Sequence, residues 1–295
     1  MDATDILHEL PISEWHGPFP AALQEQALQA LESGRVLFLP GLPFRTDAQE
    51  AAFLHPDAAG AGRKNISRDP ATGRVANTTL PPTDAARLAA MLDRFGRAAE
   101  QLIADLIPRY ANTLERARTS FRPVEIEGRP TSPRHDDRLL HVDAFPSRPL
   151  HGNRILRLFS NVAPDGSARA WNVGEPFGDF AGRFLPGRNP AFPATAWLLD
   201  RLGVTKGRRS PYDHMMLRLH DTAKISTAYQ ASAPRASVSF PSGSTWLCFT
   251  DQVLHAALAG HCALEQTFHL PVAAMADPAT SPLRVLERLS GRSLV

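Results

Sequence analysis

The sequence predicts a mainly β fold with flanking helices, and three observations carry this prediction. From Ser120 onward, short extended apolar runs alternate with turn residues such as Pro164-Asp165-Gly166, a pattern typical of a sandwich or barrel. Residues 1–119 instead show helical composition and helical spacing of apolar residues. No long linker or internal repeat interrupts the 295 residues. We therefore predict a single domain over 1–295, with a helix-rich N-terminal layer (1–119), a β core (120–275) and an amphipathic C-terminal tail (276–295).

The N-terminal layer contains two segments that favour helices. The segment from Ala21 to Leu31 has helix-forming composition. The clearest helix runs from Thr83 to Tyr110, with a cap at Thr83-Asp84 and apolar residues three and four positions apart. Between these helices, residues 35–40 favour a short apolar strand, and the polar, glycine-rich residues 60–80 favour a loop.

The β core is predicted to contain short strands separated by proline, glycine, asparagine and aspartate. These strands cover residues 121–126, 139–143, 155–162, 168–173, 237–240, 245–249 and 266–270. A long insertion lies between Phe177 and Tyr212 and is predicted to contain a helix over residues 194–202. The tail from Ser281 to Val295 alternates leucine with arginine. Such a helix can bind an anionic membrane surface, but for so short a segment we expect packing on the body of the protein.

Composition and charge exclude several classes of function. No apolar run approaches the ~20 residues that span a bilayer, and the acidic, polar N-terminus does not have the pattern of a secretory signal. A net charge of only +2 argues against a nucleic-acid-binding protein. The two cysteines, Cys248 and Cys262, exclude a disulfide-rich scaffold and are expected to be buried free thiols. We therefore expect a cytoplasmic protein with no nucleic-acid partner.

The triplet His141-Val142-Asp143 and the distant His255 form the strongest chemical pattern. On an extended strand, His141 and Asp143 project to the same side because side chains alternate. Two imidazoles and one carboxylate hold one face of an octahedral iron(II) and leave the other face open for dioxygen. Zinc hydrolysis uses the same ligand types, but the helical H-E-x-x-H pattern is absent. The spacing also favours a double-stranded β-helix (jelly-roll) core, with His141, Asp143 and His255 as metal ligands and catalytic centre.

An oxygenase that uses 2-oxoglutarate needs a cation for the distal carboxylate of this cosubstrate. The run from Arg154 to Asn161 carries two arginines among apolar residues, and period two places Arg157 on the same face as Asn161. Many such oxygenases place the cation after the distal histidine, but the segment from Leu264 to His269 has no arginine. We therefore assign Arg157 and Asn161 to the cosubstrate side. The remaining candidates for cofactor binding are Gln266, Arg154, Trp171 and Arg122, of which Arg154 also fits an ion pair.

Two long segments resemble a known family. The sequences HVDAFPSRPLHGNRILRLFSNVAPDG and PSGSTWLCFTDQVLHAALAGHCALEQTFHLP are similar to the bacterial hydroxylases of 3-deoxy-D-manno-oct-2-ulosonic acid (Kdo). These are iron(II)- and 2-oxoglutarate-dependent dioxygenases of lipopolysaccharide synthesis. By position, His141, Asp143 and His255 match the family's metal ligands, and Arg157 and Gln266 match its cosubstrate contacts.

The resemblance implies a specific reaction and place of action. The reaction is hydroxylation at C3 of Kdo on a Kdo-bearing lipid A precursor, which gives the D-glycero-D-talo-oct-2-ulosonic sugar. Dioxygen is the second cosubstrate and ascorbate an optional reductant. The implied enzyme is cytoplasmic and acts peripherally on the inner face of the inner membrane.

The implied substrate is anionic, so basic residues are expected near the site. One candidate cluster lies in the loop before Leu80 and the other is the run Lys206 to Arg209; the loop cations are Arg63, Lys64, Arg68 and Arg74. Each cluster also fits a solvated loop. Two other functions remain open: a related 2-oxoglutarate oxygenase acting on another small molecule or protein, and a non-catalytic β-helix domain that binds sugar or lipid. Iron affinity separates the last from the oxygenases.

Overall fold

The computed structural model describes residues 2–185 and 207–295, so the predicted helix over 194–202 and Lys206 lie outside the described residues. The strands in chain order are β1 (Leu7–Glu9), β2 (Val36–Leu39), β3 (Ile66–Arg68), β4 (Val75–Ala76), β5 (Glu115–Arg122), β6 (Arg154–Asn161), β7 (Arg169–Gly174), β8 (Arg235–Phe240), β9 (Thr245–Phe249), β10 (His255–Ala259) and β11 (Ala263–Leu270). They form a large sheet with the order β1-β2-β9-β6-β11-β5-β3-β4 and a small sheet with the order β10-β7-β8.

Aromatic side chains fill the space between the two sheets. Trp246 from the large sheet stacks on Phe240 from the small sheet, with ring centroids 4.1 Å apart. Phe159 of β6 meets Trp171 of β7 edge to face at 5.1 Å between centroids. Alternate residues of each strand therefore form a shared core, as expected where two sheets pack face to face. The predicted double-stranded β-helix core is confirmed.

Helices cover the other face of the large sheet. In chain order the helices are α1 (Ala3–Ile6), α2 (Ala21–Glu32), α3 (Ala48–Ala51), α4 (Pro82–Leu106), α5 (Phe177–Phe184), α6 (Pro211–Ile225), α7 (Thr227–Ser232) and α8 (Pro282–Ser290). The predicted helix over 21–31 is confirmed as α2. The long helix α4 buries its apolar stripe completely, and the stripe consists of Leu88, Met91, Leu92, Phe95, Ala99, Leu102 and Ile103. Gly96 brings α4 against β11, because a Cβ there would lie 2.7 Å from Gln266 Oε1.

Three local predictions differ from the structure. Helix α4 begins after Pro81, with Pro82 in its first turn, rather than at a Thr83-Asp84 cap; a first-turn proline lacks only an N–H that has no partner in the helix. Residues 60–80 contain the paired strands β3 and β4, which are too short to show periodicity. β5 lies earlier than residues 121–126 because it pairs with β11 from Glu115 onward. The N-terminal layer thus contributes strands as well as helices.

The C-terminal tail packs on the body of the protein, as expected. Leu283 and Leu286 of α8 are 4% and 0% exposed. On the outer side, Arg284 donates to Glu287 at 2.6 Å. Leu283 and Leu286 are therefore covered by protein, whereas Leu289 is 48% exposed. In the described part of the chain, no helix is both long and apolar enough to cross a bilayer.

Candidate metal centre

His141, Asp143 and His255 converge at the edge between the two sheets. One nitrogen or oxygen from each residue lies within 4.8 Å of the others, and all three residues are buried. His255 is the first residue of β10, and its backbone exchanges hydrogen bonds of 2.9 and 3.1 Å with that of His141. The Asp143 N–H donates to the Thr250 carbonyl at 2.8 Å. The backbone on both sides therefore sets the distance between the three side chains.

The segment that carries His141 and Asp143 is not the regular strand predicted over 139–143. It forms a single β-bridge, from His141 to His255. The alternation argument still holds locally, because the chain remains extended between the two ligands. The element missed at His255 is β10, which pairs with β7 and places His255 opposite Val173.

Each histidine is held in one tautomer by its own segment. The Nδ1 of His141 lies 2.7 Å from the Leu139 carbonyl, and the Nδ1 of His255 lies 2.9 Å from the Val253 carbonyl. Since a carbonyl only accepts, each Nδ1 carries the proton and each Nε2 offers its lone pair to the site. Such backbone contacts are the usual way in which a metal-binding imidazole is oriented.

The charge states also suit a metal. Burial lowers the pKa of His141 well below its ordinary value, and the charges at His255 and Lys224 lower it further. Burial likewise lowers the pKa of His255. Burial raises the pKa of Asp143, but the positive charge of Arg157 and the two imidazoles outweigh that effect, so the pKa lies below its ordinary value. Two neutral imidazoles therefore face one carboxylate at neutral pH.

This donor set fits iron(II). The Oδ1 of the buried Asp143 lies 3.9 Å from His141 Nε2, so a carboxylate oxygen lies beside the imidazole nitrogen that has no backbone partner. Two imidazoles and a carboxylate on one side, with open positions on the other, are typical of non-haem iron oxygenases. A third imidazole, His220 of α6, lies with its ring centroid 5.2 Å from that of His141. Its Nδ1 is 2.8 Å from the Val142 carbonyl, so its Nε2 also faces away from the backbone.

A cavity of about 730 Å³ opens beside the three ligands. Its walls come from both sheets and its roof from α6. Three of the predicted cofactor-binding residues line it, namely Arg157, Trp171 and Arg122. The Trp171 ring stacks on His255, with centroids 5.2 Å apart. Within this cavity, Trp171 lies on the sheet wall beside the ligands.

Arg157 occupies a position between two carboxylates. Its Nε is 3.1 Å from Asp143 Oδ2, and its terminal nitrogen is 3.0 Å from Glu265 Oε1. Glu265 in turn accepts from Arg122 Nε at 2.8 Å. The Nε of Arg157 nevertheless lacks an aligned hydrogen bond in the described part of the chain. Arg157 therefore orients the metal-binding carboxylate.

The structure does not bring Arg154, Asn161 and Gln266 into the cavity, which corrects their assignment to cofactor binding. Arg154 is fully buried on the opposite face of β6, where its Nε donates to Asp251 at 2.8 Å. Asn161 shares the face of Arg157, but it lies at the end of the strand and donates to the carbonyls of Ser167 and Phe240. Gln266 points towards α4.

The contacts of Gln266 explain its position. Its Oε1 accepts from Thr119 at 2.6 Å, and its Nε2 donates to the Ala117 carbonyl at 3.1 Å. Its neighbour Glu265 faces the cavity instead. Successive residues of β11 point to opposite faces, so Gln266 lies on the α4 side while Glu265 lies on the cavity side.

Arg169 is a cavity residue that the sequence reasoning missed. It is 4% exposed, and its terminal nitrogen donates only to the Gly260 carbonyl at 3.3 Å. Burial, aided by the charge of Arg122, lowers the pKa of Arg169 to about 10. The Nε of Arg169 and the indole N–H of Trp171 have no partner among the described residues. Arg169 and Trp171 lie two residues apart on β7. Because side chains alternate along a strand, the sequence pattern could have placed both on the same face.

The basic residues predicted near the site separate into two groups. Lys64 and Arg209 line the cavity. Lys64 pairs with Asp137 at 2.8 Å, whereas Arg68 pairs with Asp93 at 2.9 Å on the α4 side. Only part of each predicted cluster therefore faces the site.

Comparison with known proteins shows the family to which the chain belongs. The chain matches a family model described as 3-deoxy-D-manno-oct-2-ulosonic acid (Kdo) hydroxylase over residues 14–293. It is similar to the crystal structure of the Kdo hydroxylase KdoO, a non-heme Fe(II) alphaketoglutarate dependent dioxygenase, in complex with alphaketoglutarate and Fe(III). That match has 44% identity and a TM-score of 0.94, and it covers 98% of this chain and 97% of that chain. The cobalt(II) complex of KdoO matches with 45% identity, the same coverage and a TM-score of 0.95. No curated protein sequence matches the chain.

Proposed function

Because the chain belongs to the Kdo hydroxylase family, we propose that it hydroxylates C3 of a Kdo sugar on a Kdo-bearing lipid A precursor. The reaction uses iron(II), 2-oxoglutarate and dioxygen, and it yields the D-glycero-D-talo-oct-2-ulosonic sugar. The observation that carries the proposal is the buried His141–Asp143–His255 group beside a large cavity.

His141, Asp143 and His255 would hold the iron. When bound there, iron(II) couples the oxidative decarboxylation of 2-oxoglutarate to the insertion of one oxygen atom into a C–H bond. The protein residues supply geometry and charge. The backbone carbonyls of Leu139 and Val253 fix the two imidazoles, and Arg157 holds Asp143.

The cosubstrate is a dianion, and the cavity offers buried donors for it. Arg169 Nε and Trp171 Nε1 are buried N–H groups without a hydrogen-bond partner in the residues described, whereas Arg157 Nε lies 3.1 Å from Asp143 Oδ2. A buried unpaired donor costs about 1–3 kcal/mol, and hydrogen bonds to charged groups recover more than neutral ones. We assign Arg169 to the distal carboxylate because, unlike Arg157, it forms no ion pair with a carboxylate of the described residues. Arg122 supports the arrangement by holding Glu265.

The mouth of the cavity suits an anionic, lipid-linked substrate. Arg134 and Arg209 line it together with Lys64, and Arg134 has 67% of its side chain exposed. Such charges attract sugar carboxylates and lipid phosphates. A lipid-linked substrate requires the enzyme to work at a membrane surface, so we propose peripheral action at the cytoplasmic face of the inner membrane.

The direct test is turnover. Purified protein is incubated with iron(II), 2-oxoglutarate and a Kdo-bearing lipid, and the products are analysed for succinate and for one added oxygen on the sugar. The matched control is His141→Ala, which removes one ligand. Equal product from wild type and His141→Ala, or no metal-dependent product, would refute the proposal. Succinate formation without sugar oxidation would indicate an oxygenase with a different substrate.

A further inference from the structure

Lys224 is a buried cation in the roof of the cavity. It lies near the end of α6 and is 4% exposed. Its Nζ donates to the Arg134 carbonyl at 3.3 Å, and no carboxylate of the described residues forms an ion pair with it. A buried ammonium group without a carboxylate partner is costly. Its retention therefore points to a negative charge that arrives with a ligand.

The other cavity cations contrast with Lys224. Lys64 is neutralised by Asp137 at 2.8 Å. Arg157 and Arg122 share Glu265. Among the described residues that line the cavity, Arg169 is the other buried cation that forms no ion pair with a carboxylate. Two buried cations of the described cavity thus lack an ion pair, and the proposed reaction brings together two molecules that each carry a carboxylate away from the metal.

Lys224 lies on the metal side of the cavity. It is one helical turn after His220, whose ring contacts that of His141. Lys224 and His220 both line the cavity, so this turn of α6 lies over the ligand group. Arg169 lies on β7 in the sheet wall, where its terminal nitrogen donates to the Gly260 carbonyl. The two cations therefore face different parts of the cavity.

The chemistry of Kdo fits this placement. In Kdo the carboxylate is attached to C2, and C3 is the next ring carbon, so the reacting carbon is two bonds from the carboxyl carbon. A cation that holds this carboxylate beside the metal would bring C3 to the ligand group. A charged contact of this kind also excludes neutral sugars, because their binding leaves the buried ammonium group unpaired.

We propose that Lys224 binds the carboxylate of the Kdo sugar that is hydroxylated and is the main determinant of acceptor specificity. This inference rests on the proposed function. Arg169 and Lys224 divide the two ligands between them: the first takes the distal carboxylate of 2-oxoglutarate and the second takes the sugar carboxylate.

The test compares a Kdo-bearing lipid with its Kdo methyl ester, in which the carboxylate charge is removed. Binding is measured without turnover, on protein loaded with cobalt(II) and 2-oxoglutarate, and KM is measured with iron(II). Wild type is expected to bind the acid roughly tenfold to a hundredfold more tightly than the ester, as for a charged hydrogen bond. In Lys224→Met the acid should lose this advantage and bind like the ester, while the KM for 2-oxoglutarate stays the same.

Two further variants complete the experiment. Lys224→Arg keeps the charge and is expected to restore most of the preference for the acid. Arg68→Met removes a paired cation on the α4 side that does not line the cavity, so it must keep the wild-type ratio of acid to ester affinity. Equal affinity of wild type for acid and ester, or an unchanged ratio in Lys224→Met, would overturn the assignment even if Kdo is hydroxylated. A wild type that prefers the acid but oxidises no Kdo acceptor would instead refute the proposed function.

Discussion

Replacing Arg169 with methionine separates a ligand-binding cation from a structural one. Arg169 is buried, donates to one backbone carbonyl and has no carboxylate beside it. Methionine fills similar space without charge. If Arg169 holds the distal carboxylate of 2-oxoglutarate, its removal costs roughly 1.5–3 kcal/mol of binding, which raises the Kd for 2-oxoglutarate about 10- to 150-fold.

The same change is expected to leave the ligand-free protein almost as stable as wild type. The variant loses the hydrogen bond to the Gly260 carbonyl, worth about 1 kcal/mol. It also removes a buried charge that forms no ion pair, and this change is expected to raise the free energy of unfolding. We therefore expect the free energy of unfolding without ligand to change by no more than about 1 kcal/mol.

The assay is denaturant unfolding of cobalt(II)-loaded protein with and without 2-oxoglutarate. At a concentration of 100 times the wild-type Kd, the ligand stabilises wild type by about 2.7 kcal/mol. With a Kd raised about 30-fold, the same concentration stabilises the variant by only about 0.9 kcal/mol. A variant that keeps the full stabilisation by 2-oxoglutarate would refute the role of Arg169. A large loss of stability without ligand would show that Arg169 is structural instead.

Three other predictions follow from the same contacts. Arg154→Met leaves Asp251 buried and unpaired, so the free energy of unfolding should fall by about 3–5 kcal/mol with an unchanged Kd for 2-oxoglutarate; an unchanged denaturation midpoint would contradict the ion pair. Gly96→Ala places a Cβ 2.7 Å from Gln266 Oε1 and should destabilise the fold by about 1–3 kcal/mol, and equal stability in denaturant would show that α4 can move away. Metal binding needs neutral imidazoles, and the pKa of His141 lies below the ordinary 6.5. Cobalt(II) affinity, followed by its absorption spectrum, should therefore persist as the pH falls through 6.5 and weaken only at lower pH; weakening above 6.5 would oppose this.

The metal ligands were predictable because the information is local. His141 and Asp143 are two residues apart in an extended segment, and His255 follows a recognisable apolar strand. The chain need only place these two segments side by side. The face on which a strand residue lies was also predictable, since Arg157 lines the cavity and Arg154 faces away from it.

The remaining site residues depend on partners that are distant in sequence. Asp251, which neutralises Arg154, comes from the turn after β9, and no pattern in β6 reveals it. Arg169 and Lys224 are buried cations that form no ion pair with a carboxylate of the described residues. This property depends on residues of both sheets and of α6, so no single segment of the sequence reveals it. Helix α6 was missed because it lies after the long insertion, in a stretch with mixed polar and apolar residues.

The hydrogen bonds of the two histidines affect which positions of the chain tolerate substitution. Each imidazole is oriented by the carbonyl two residues before it, in Leu139 and Val253. A backbone carbonyl is present whatever side chain the residue carries. The orientation of the imidazoles is therefore insensitive to substitution at positions 139 and 253, provided that the segments stay extended. Mutations in the cavity wall and roof can accumulate and alter the accepted sugar while the imidazoles keep their orientation, so the fold can acquire new acceptors without rebuilding its centre.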